Sequence, residues 1–333
     1  MTTVNAIPDF RVTLNGKDIS DRLRPRLVSL SLSEKRGGDA DQLTIAIDDT
    51  DGRASLPPIG ATIHIELGWK QGSEVQIGLV DKGSFVVDEV AHDGPPDTIT
   101  LTARAADFTG KLKQRREASW HGTTLGALVR EIAGRHKLKA SCAAKLAGIA
   151  VSAKAQSRES DLAFLRRLGR EHDAVATIKR GTLILSPIGA GVTPAGTPLA
   201  TVTITRRDGD AHRFRIAKRD DVPGVTASWH DRKGAKKHEV TDGDKDGARR
   251  LARTYASEAE ATRAAKAERS RAARQPRSLD LTLAYGRADL MPEAKAKITG
   301  YKAEIDATVW LIAEVTHSLA DQGFTTALKL EVT

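Results

Sequence analysis

Two octapeptides near opposite ends of the 333-residue chain constrain its fold most. Phe85 to His92 reads Phe-Val-Val-Asp-Glu-Val-Ala-His, and Trp310 to His317 reads Trp-Leu-Ile-Ala-Glu-Val-Thr-His. Phe85, Glu89, Val90 and His92 are matched in register by Trp310, Glu314, Val315 and His317. The surroundings recur in the same order. Leu43, Ile45 and Ile47 alternate as Leu279, Leu281 and Leu283 do; Leu56-Pro57 finds an echo in Met291-Pro292, and Gly68-Trp69 in Gly300-Tyr301. Each copy closes on an alternating run, Ile99, Leu101 and Ala103 in the first and Leu328, Leu330 and Val332 in the second. Spacings between the blocks drift, which loops tolerate. Alternation with period 2 is the signature of half-buried strands. The chain therefore carries two copies of one β module with something different between them. A duplication is an architectural fact and by itself specifies no chemistry.

In chain order, Phe10, Val12 and Leu14 alternate up to Asn15-Gly16, a strong hairpin signal because both positions tolerate positive φ. Runs at Val28–Leu32, Leu43–Ile47, Ile63–Leu67, Phe85–Val90 and Thr98–Ala103 follow, with Asp48 to Gly52 as a turn. Short strands at this spacing form a small barrel or sandwich; we take residues 1–108 as a first small β-barrel. After Phe108 a basic connector (Lys111, Lys113, Arg115, Arg116) leads to a helix capped by Thr123-Thr124 with Leu125, Leu128, Val129 and Ile132 inside. Ser157 is the expected cap of a second helix carrying Leu162, Phe164, Leu165 and Leu168. A hairpin, Ala174–Ile178 and Leu183–Leu185 about Arg180-Gly181, completes an α+β middle domain over 109–190. Gly189 to Pro198 is a linker. The second β-barrel domain spans 191–333, interrupted by a long Ala/Arg-rich helix expected to open at Asp246, cover about 246–273 and stop at Pro276. The fold class is thus mainly β, with two similar small β domains flanking an α+β domain.

Chemical motifs are scarce. Asp242-Gly-Asp-Lys-Asp-Gly247 begins like a calcium loop, but the twelfth position, which must supply a carboxylate, is Arg253. We read these acids as the N-terminus of the following helix. The single cysteine, Cys142, excludes an internal disulfide and has no metal-site spacing. Neither HExxH nor GxSxG occurs, and Glu89 and Glu314 occupy equivalent strand positions rather than forming an acid/base pair, so no enzyme, cofactor or metal is expected. No run approaches the roughly 20 apolar residues of a membrane span, and no signal peptide opens the chain; with a single cysteine, assembly inside a reducing cytoplasm is expected. The net charge of +9 suits an acidic partner or nucleic acid. The long helix, however, carries its basic residues all round, without interleaved aromatics in its second half. A DNA- or cell-wall-binding module is the alternative reading; a hydrolase ranks below it.

Several stretches, taken in order, resemble the late control protein D family, the tail hub proteins of contractile-tailed phages. They are Leu14-Asn-Gly-Lys-Asp-Ile-Ser20, Ala40-Asp-Gln-Leu-Thr-Ile45 with Asp48 to Gly52, Gly68-Trp69, Gln156 to Leu168, and Trp310 to His317 followed by Gly323-Phe-Thr-Thr326. The resemblance implies a homotrimeric baseplate hub between a hexameric tail tube and a trimeric spike, in contact with other baseplate proteins and similar to the hub part of type VI secretion spike proteins. It implies DNA only as passing cargo and no stable membrane association. Three chains with two similar modules each would imitate a sixfold ring. The chain stops at Thr333 without a lysozyme-like insertion, so spike and wall digestion are expected from separate polypeptides.

Overall fold

The computed structural model describes residues 4–37, 40–105, 112, 114–193, 197–217, 222–231, 234–274 and 276–333. Phe108, Lys111 and Lys113, where the sequence changes character, lie outside the described residues. The chain opens with β1 (Ile7–Leu14), and Asn15 and Gly16, at φ of 48° and 82°, turn it into the short β2 (Lys17–Asp18). Two positive φ values in succession are what a type I′ hairpin turn demands. One helical turn, α1 (Ser20–Leu23), leads to β3 (Leu27–Lys35), β4 (Gln42–Asp48), β5 (Thr62–Gln71), β6 (Gly78–Asp93) and β7 (Thr98–Ala105). These strands pair in the order β3-β4-β7-β6-β5-β1. Phe10 and Val12 from one end of that order share a core with Leu30 and Leu32 from the other, and with Ile45, Phe85 and Ile99 between. A sheet whose two ends meet in one core has rolled up, as the alternation predicts.

The middle region follows as β8 (Arg115–Thr124), α2 (Leu125–Arg135), β9 (Lys139–Cys142), α3 (Ala144–Ala147), β10 (Ala150–Ser160), α4 (Asp161–Glu171), β11 (Ala174–Lys179) and β12 (Thr182–Pro187). Thr124 caps α2, accepting from the Ala127 amide at 3.3 Å. Trp120 stacks on Phe164 with centroids 6.0 Å apart inside a core built from α2, α4 and the β11–β12 hairpin. The cap of α4 is Ser160, not Ser157. Residues Gln156 to Ser160 continue β10 against β8, and the chain turns only after Glu159 pairs with Arg116. The Gln156 amide donates to the Glu159 carbonyl at 3.2 Å and to buried Asp161 Oδ1 at 2.8 Å, which holds the strand-to-helix corner.

The remaining chain runs β13 (Val202–Thr205), β14 (Gly209–Ile216), β15 (Gly224–Asp231), β16 (Lys236–Gly243), β17 (Arg249–Tyr255), α5 (Glu258–Arg274), β18 (Arg277–Leu283), β19 (Lys295–Thr299), α6 (Ala303–Asp306), β20 (Val309–Ala320) and β21 (Gly323–Val332). Here the expected helix start needs correction. Asp246 lies in a turn, and Arg249–Tyr255 is a strand parallel to β15; the helix starts at Glu258, after Ser257 accepts from the Glu260 amide at 3.3 Å. The acids at 242 to 246 therefore precede a strand rather than cap a helix. Leu251 and Tyr255 pack against Val225, Ala227 and the alanine face of α5, so β15, β16, β17 and α5 form a small α/β insert.

Without the insert, the second set pairs as β14-β18-β21-β20-β19-β13. If β2 is set aside and strands are numbered along the chain within each set, both sets run 2-3-6-5-4-1. Equivalence extends to irregularities. The ladder of β6 on β7 slips between Val87 and Glu89, and that of β20 on β21 slips between Ile312 and Glu314. The extra residues, Asp88 and Ala313, occupy the same place in the two octapeptides. Register also corrects one alignment: Val90 faces Leu101 as Val315 faces Leu328, so Leu101 and Ala103 correspond to Leu328 and Leu330, two residues from the match made on alternation. One difference is that β1 is antiparallel to β5 whereas β13 is parallel to β19.

The revised helix cap is directly testable. Ser160→Ala should cost about 1 kcal/mol, as loss of an N-cap does. Ser157→Ala, on an exposed strand position, should stay within about 0.5 kcal/mol of the parent. Urea titration of both variants measures the difference.

Candidate assembly site

The two strand sets meet on β20. One edge of β20 is taken by β21; the other is divided, Val309–Leu311 pairing with β19 and Glu314–Ala320 pairing with β3. The division falls at the Ala313 bulge, where an added residue bends and twists a strand. As a result both sets join in one 13-stranded sheet, with β14 at one end.

The two faces of this joint differ in chemistry. On the face away from the cores, directly opposed residues form a row of alternating charge: Arg213, Asp280, Lys329, Glu314 and Lys35. Lys329 Nζ donates to Glu314 Oε2 at 3.0 Å. Opposite charges facing each other across strands contribute roughly 0.2–1 kcal/mol per pair. The next row on this face holds Thr316, Ser33, Gln42 and Arg104, and the one after it is small and hydroxylic, with Ser318, Ser31, Thr44 and Thr102 in line.

On the core face, His317 is fully buried; its Nδ1 lies 2.9 Å from Thr326 Oγ1 and its Nε2 3.3 Å from Glu34 Oε2. The same Glu34 oxygen is 2.5 Å from Lys82 Nζ, which also donates to the carbonyls of Ala288 at 3.1 Å and Leu290 at 3.4 Å. Burial pushes the Glu34 carboxyl toward neutrality, but the Lys82 ammonium and His317 outweigh it and hold it at about 2. Burial lowers the His317 imidazole below its ordinary value. His317 is therefore neutral at pH 7 and Glu34 ionised. This cluster draws on β3 and β6 of the first set and on β20 and the loop before β19 of the second.

A second tie is aromatic. Trp69 of β5 donates Nε1–H to the Gly286 carbonyl at 2.8 Å and packs on Phe324 and Tyr285 at centroid distances of 5.4 and 5.8 Å. Where both sets meet the β11–β12 hairpin they line an open cleft of about 610 Å³. Its charged lining is paired: Lys179 with Asp41, and Arg36 with Glu331 and Glu293. Arg274 of α5 joins Asp173 of the middle region and lies 3.2 Å from Glu331, locking the insert to β21.

The repeated residues have unequal surroundings. Phe85 and Trp310 are core anchors, opposite Ala105 and Val332. Glu314, Val315 and His317 lie under or beside β3, whereas Glu89 and His92 are exposed and Val90 half-buried. Among the described residues no strand pairs with the second edge of Glu89–Asp93. Glu34, Lys82 and Trp69, which make the joint specific, carry no sequence signal of that role. Among the described residues no His/Cys/Asp/Glu group is arranged to hold a metal, and no helix is long and apolar enough to cross a membrane.

Two outcomes test the ionic cluster. Lys82→Met should destabilise the fold by about 3–5 kcal/mol by stranding a buried carboxylate, and adding Glu34→Gln should recover most of that loss. Stability should also fall in acid. The unfolded chain takes up His317's proton first, so loss begins below about 6.5; Glu34's contribution, full above 4.5, is lost as pH falls toward about 2. Thermal melting between pH 8 and 3 reads both, and His317→Gln should remove the first step.

Residues 42–323 match the phage tail baseplate hub (GPD) family. The chain is 42% identical to the probable baseplate hub protein of Escherichia phage 186, over 98% of this chain and 93% of that protein. Its fold is similar to that of a tail protein from Neisseria meningitidis MC58, with a TM-score of 0.70 and 15% identity over 98% and 96% of the two chains. It is also similar to an E. coli component of the type VI secretion system, with a TM-score of 0.55 and 14% identity over 92% of this chain and 74% of that one. With the match spanning most of the chain, and with a fold that joins two like strand sets through a buried strand ladder, this protein belongs to the phage tail baseplate hub family, a structural component of the virion tail and not an enzyme.

Proposed function

We propose that this hub works as a homotrimeric ring of six quasi-equivalent modules, joining a hexameric tail tube to a trimeric spike in the manner of the late control protein D proteins. The observation that carries this reading is the identity of strand order, register and bulge position between two sets within one continuous sheet. A surface presenting six like units with true threefold symmetry can face a sixfold partner on one side and a threefold one on the other. The functional divisions are the first β domain (1–108), the α+β domain (109–190) and the second β domain with its insert (191–333). The repeated residues Phe85, Glu89, Val90, His92, Trp310, Glu314, Val315 and His317 mark the equivalent positions of the ring. The hydroxyl-rich row through Ser318, Ser31, Thr44 and Thr102 suits a smooth passage for DNA as cargo. Assembly in the host cytoplasm precedes incorporation into the tail.

The helix α5 is a poor candidate for gripping nucleic acid. Its Arg269 pairs with Asp242, Arg271 with Glu268 and the Arg170 carbonyl, and Arg274 with Asp173, so these charges brace the insert.

Light scattering coupled to size-exclusion chromatography should return three times the 35.8 kDa chain mass. Class averages along the symmetry axis should show six similar lobes. A stable monomer, or a dimer, would remove the ring.

A further inference from the structure

The open cleft beside the β11–β12 hairpin has a use of its own. Its volume of about 610 Å³ falls within the roughly 300–1,000 Å³ of ligand sites, which gather where domains meet. Three parts of the fold supply its apolar walls: Val80 of the first strand set, Val175 and Ile184 of the hairpin, and Leu199 and Met291 of the chain on either side of the second set's first strands. The first four side chains are half-buried, and Met291 is 40% exposed. Apolar surfaces that line an open slot gain when an apolar group enters and removes them from water.

The charge in the lining adds selectivity. Glu293 is fixed by its surroundings: its amide donates to the Ile312 carbonyl at 2.9 Å, and its Oε2 accepts from the Gly189 amide at 2.8 Å. It belongs to a network in which three carboxylates, Asp173, Glu293 and Glu331, share two guanidiniums, Arg36 and Arg274. Arg36 Nη1 sits 2.5 Å from Glu331 Oε1 and only 3.5 Å from Glu293 Oε1. Neither Glu293 Oε1 nor Ser186 Oγ, which also lines the cleft, has a hydrogen-bond partner among the described residues. Burial raises the Glu293 carboxyl above its ordinary value by more than Arg36 and the Gly189 amide lower it. The network is one cation short, and the shortage falls on the residue that borders the cleft.

We propose that the cleft receives an apolar peptide segment of a partner protein, and that a lysine or arginine of that segment completes the Glu293 network. A buried carboxylate is costly without counter-charge, so a cation delivered here contributes more than one at the surface. The apolar walls take the flanking side chains. A slot that is open along one side, with walls from three separate parts of the fold, admits a chain that enters and leaves. The site lies within one chain and is independent of the ring reading, so its failure leaves that reading untouched.

The probe is an amidated Ile-Val-Lys-Val-Ile peptide with fluorescein at its N-terminus, titrated with the full chain and followed by fluorescence anisotropy. Copies with norleucine or Glu in place of Lys should bind roughly tenfold more weakly or worse, as for a lost hydrogen bond to a charged group. Glu293→Gln should bring the Lys peptide to the norleucine level. Ile184→Trp, which fills the slot, should weaken all three peptides while Glu293 is intact. Melting temperatures of both variants check that they fold. Equal binding of the Lys and norleucine peptides, an affinity unchanged in Glu293→Gln, or no binding by the Lys peptide at millimolar protein would each overturn the proposal. n-Pentylamine, which carries the lysine side chain's chemistry without a peptide, should leave the bound peptide in place at equal concentration; displacement would assign the site to a free amine and overturn the peptide.

Discussion

The pairing of β3 with the distal half of β20 is the contact on which the rest of the molecule depends. Each strand set carries its own aromatic anchor, Phe85 in one core and Trp310 in the other, and the first core also takes in Leu319 and Phe324 from the second set. What makes one body of them is a ladder between strands almost the whole chain apart. Backbone hydrogen bonds alone would tolerate sliding, because shifting a strand by two residues restores its alternation. Glu34, Lys82 and His317 prevent that slip. A buried carboxylate is tolerated only where its counter-ion stands, so one register satisfies the cluster and its neighbours do not.

Legibility in the sequence followed this same physics. Strand existence was readable because each set has one buried face, which enforces alternation in the residues themselves. The duplication was readable because aromatic anchors and the Glu-Val-x-His ending pin the copies together. Register was less so: Ile99, Leu101 and Ala103 align with Leu328 to Val332 as well as with the residues two positions earlier, and only the ladder separates the alternatives. The bulge left no trace, since the inserted residue is Asp88 in one copy and Ala313 in the other. In Arg249–Tyr255 a strand was hidden by composition, since its charged residues read as the first turns of an Ala/Arg-rich helix until the pairing with β15 is seen. The joint itself was unreadable, because Glu34 and Lys82 look like ordinary surface charges until both strands are in place.

The insertions also have a physical logic. The α+β domain enters between the two sets and the β15–α5 insert enters between β14 and β18, so neither interrupts the strands that form the continuous sheet. Both are then tied back by arginine. Arg274 meets Asp173 and Glu331 together, and Arg253 and Arg271 reach Glu171 and the Arg170 carbonyl. Planar guanidinium groups suit such bridging, since one side chain can satisfy several acceptors in fixed directions. Much of the chain's basic character is thus spent on holding its own parts in position.

Twin backbones carry unlike side chains at the internal joint and at the outer edges of the two strand sets. The internal joint carries Glu34, whose twin is Ile216, and the Lys82 ammonium, for which the matching count from Trp310 falls on Ala307. A buried ion cluster can be accommodated within one chain, where desolvation is compensated once as the core forms. Between separately folded chains the same cluster would have to shed its water at every encounter, against the already large entropic cost of association. The outer edges instead present an exposed isoleucine and surface charges of opposite sign, which attract over distance and desolvate little. The duplication kept the strand geometry, while the side chains of the internal joint and of the outer edges diverged.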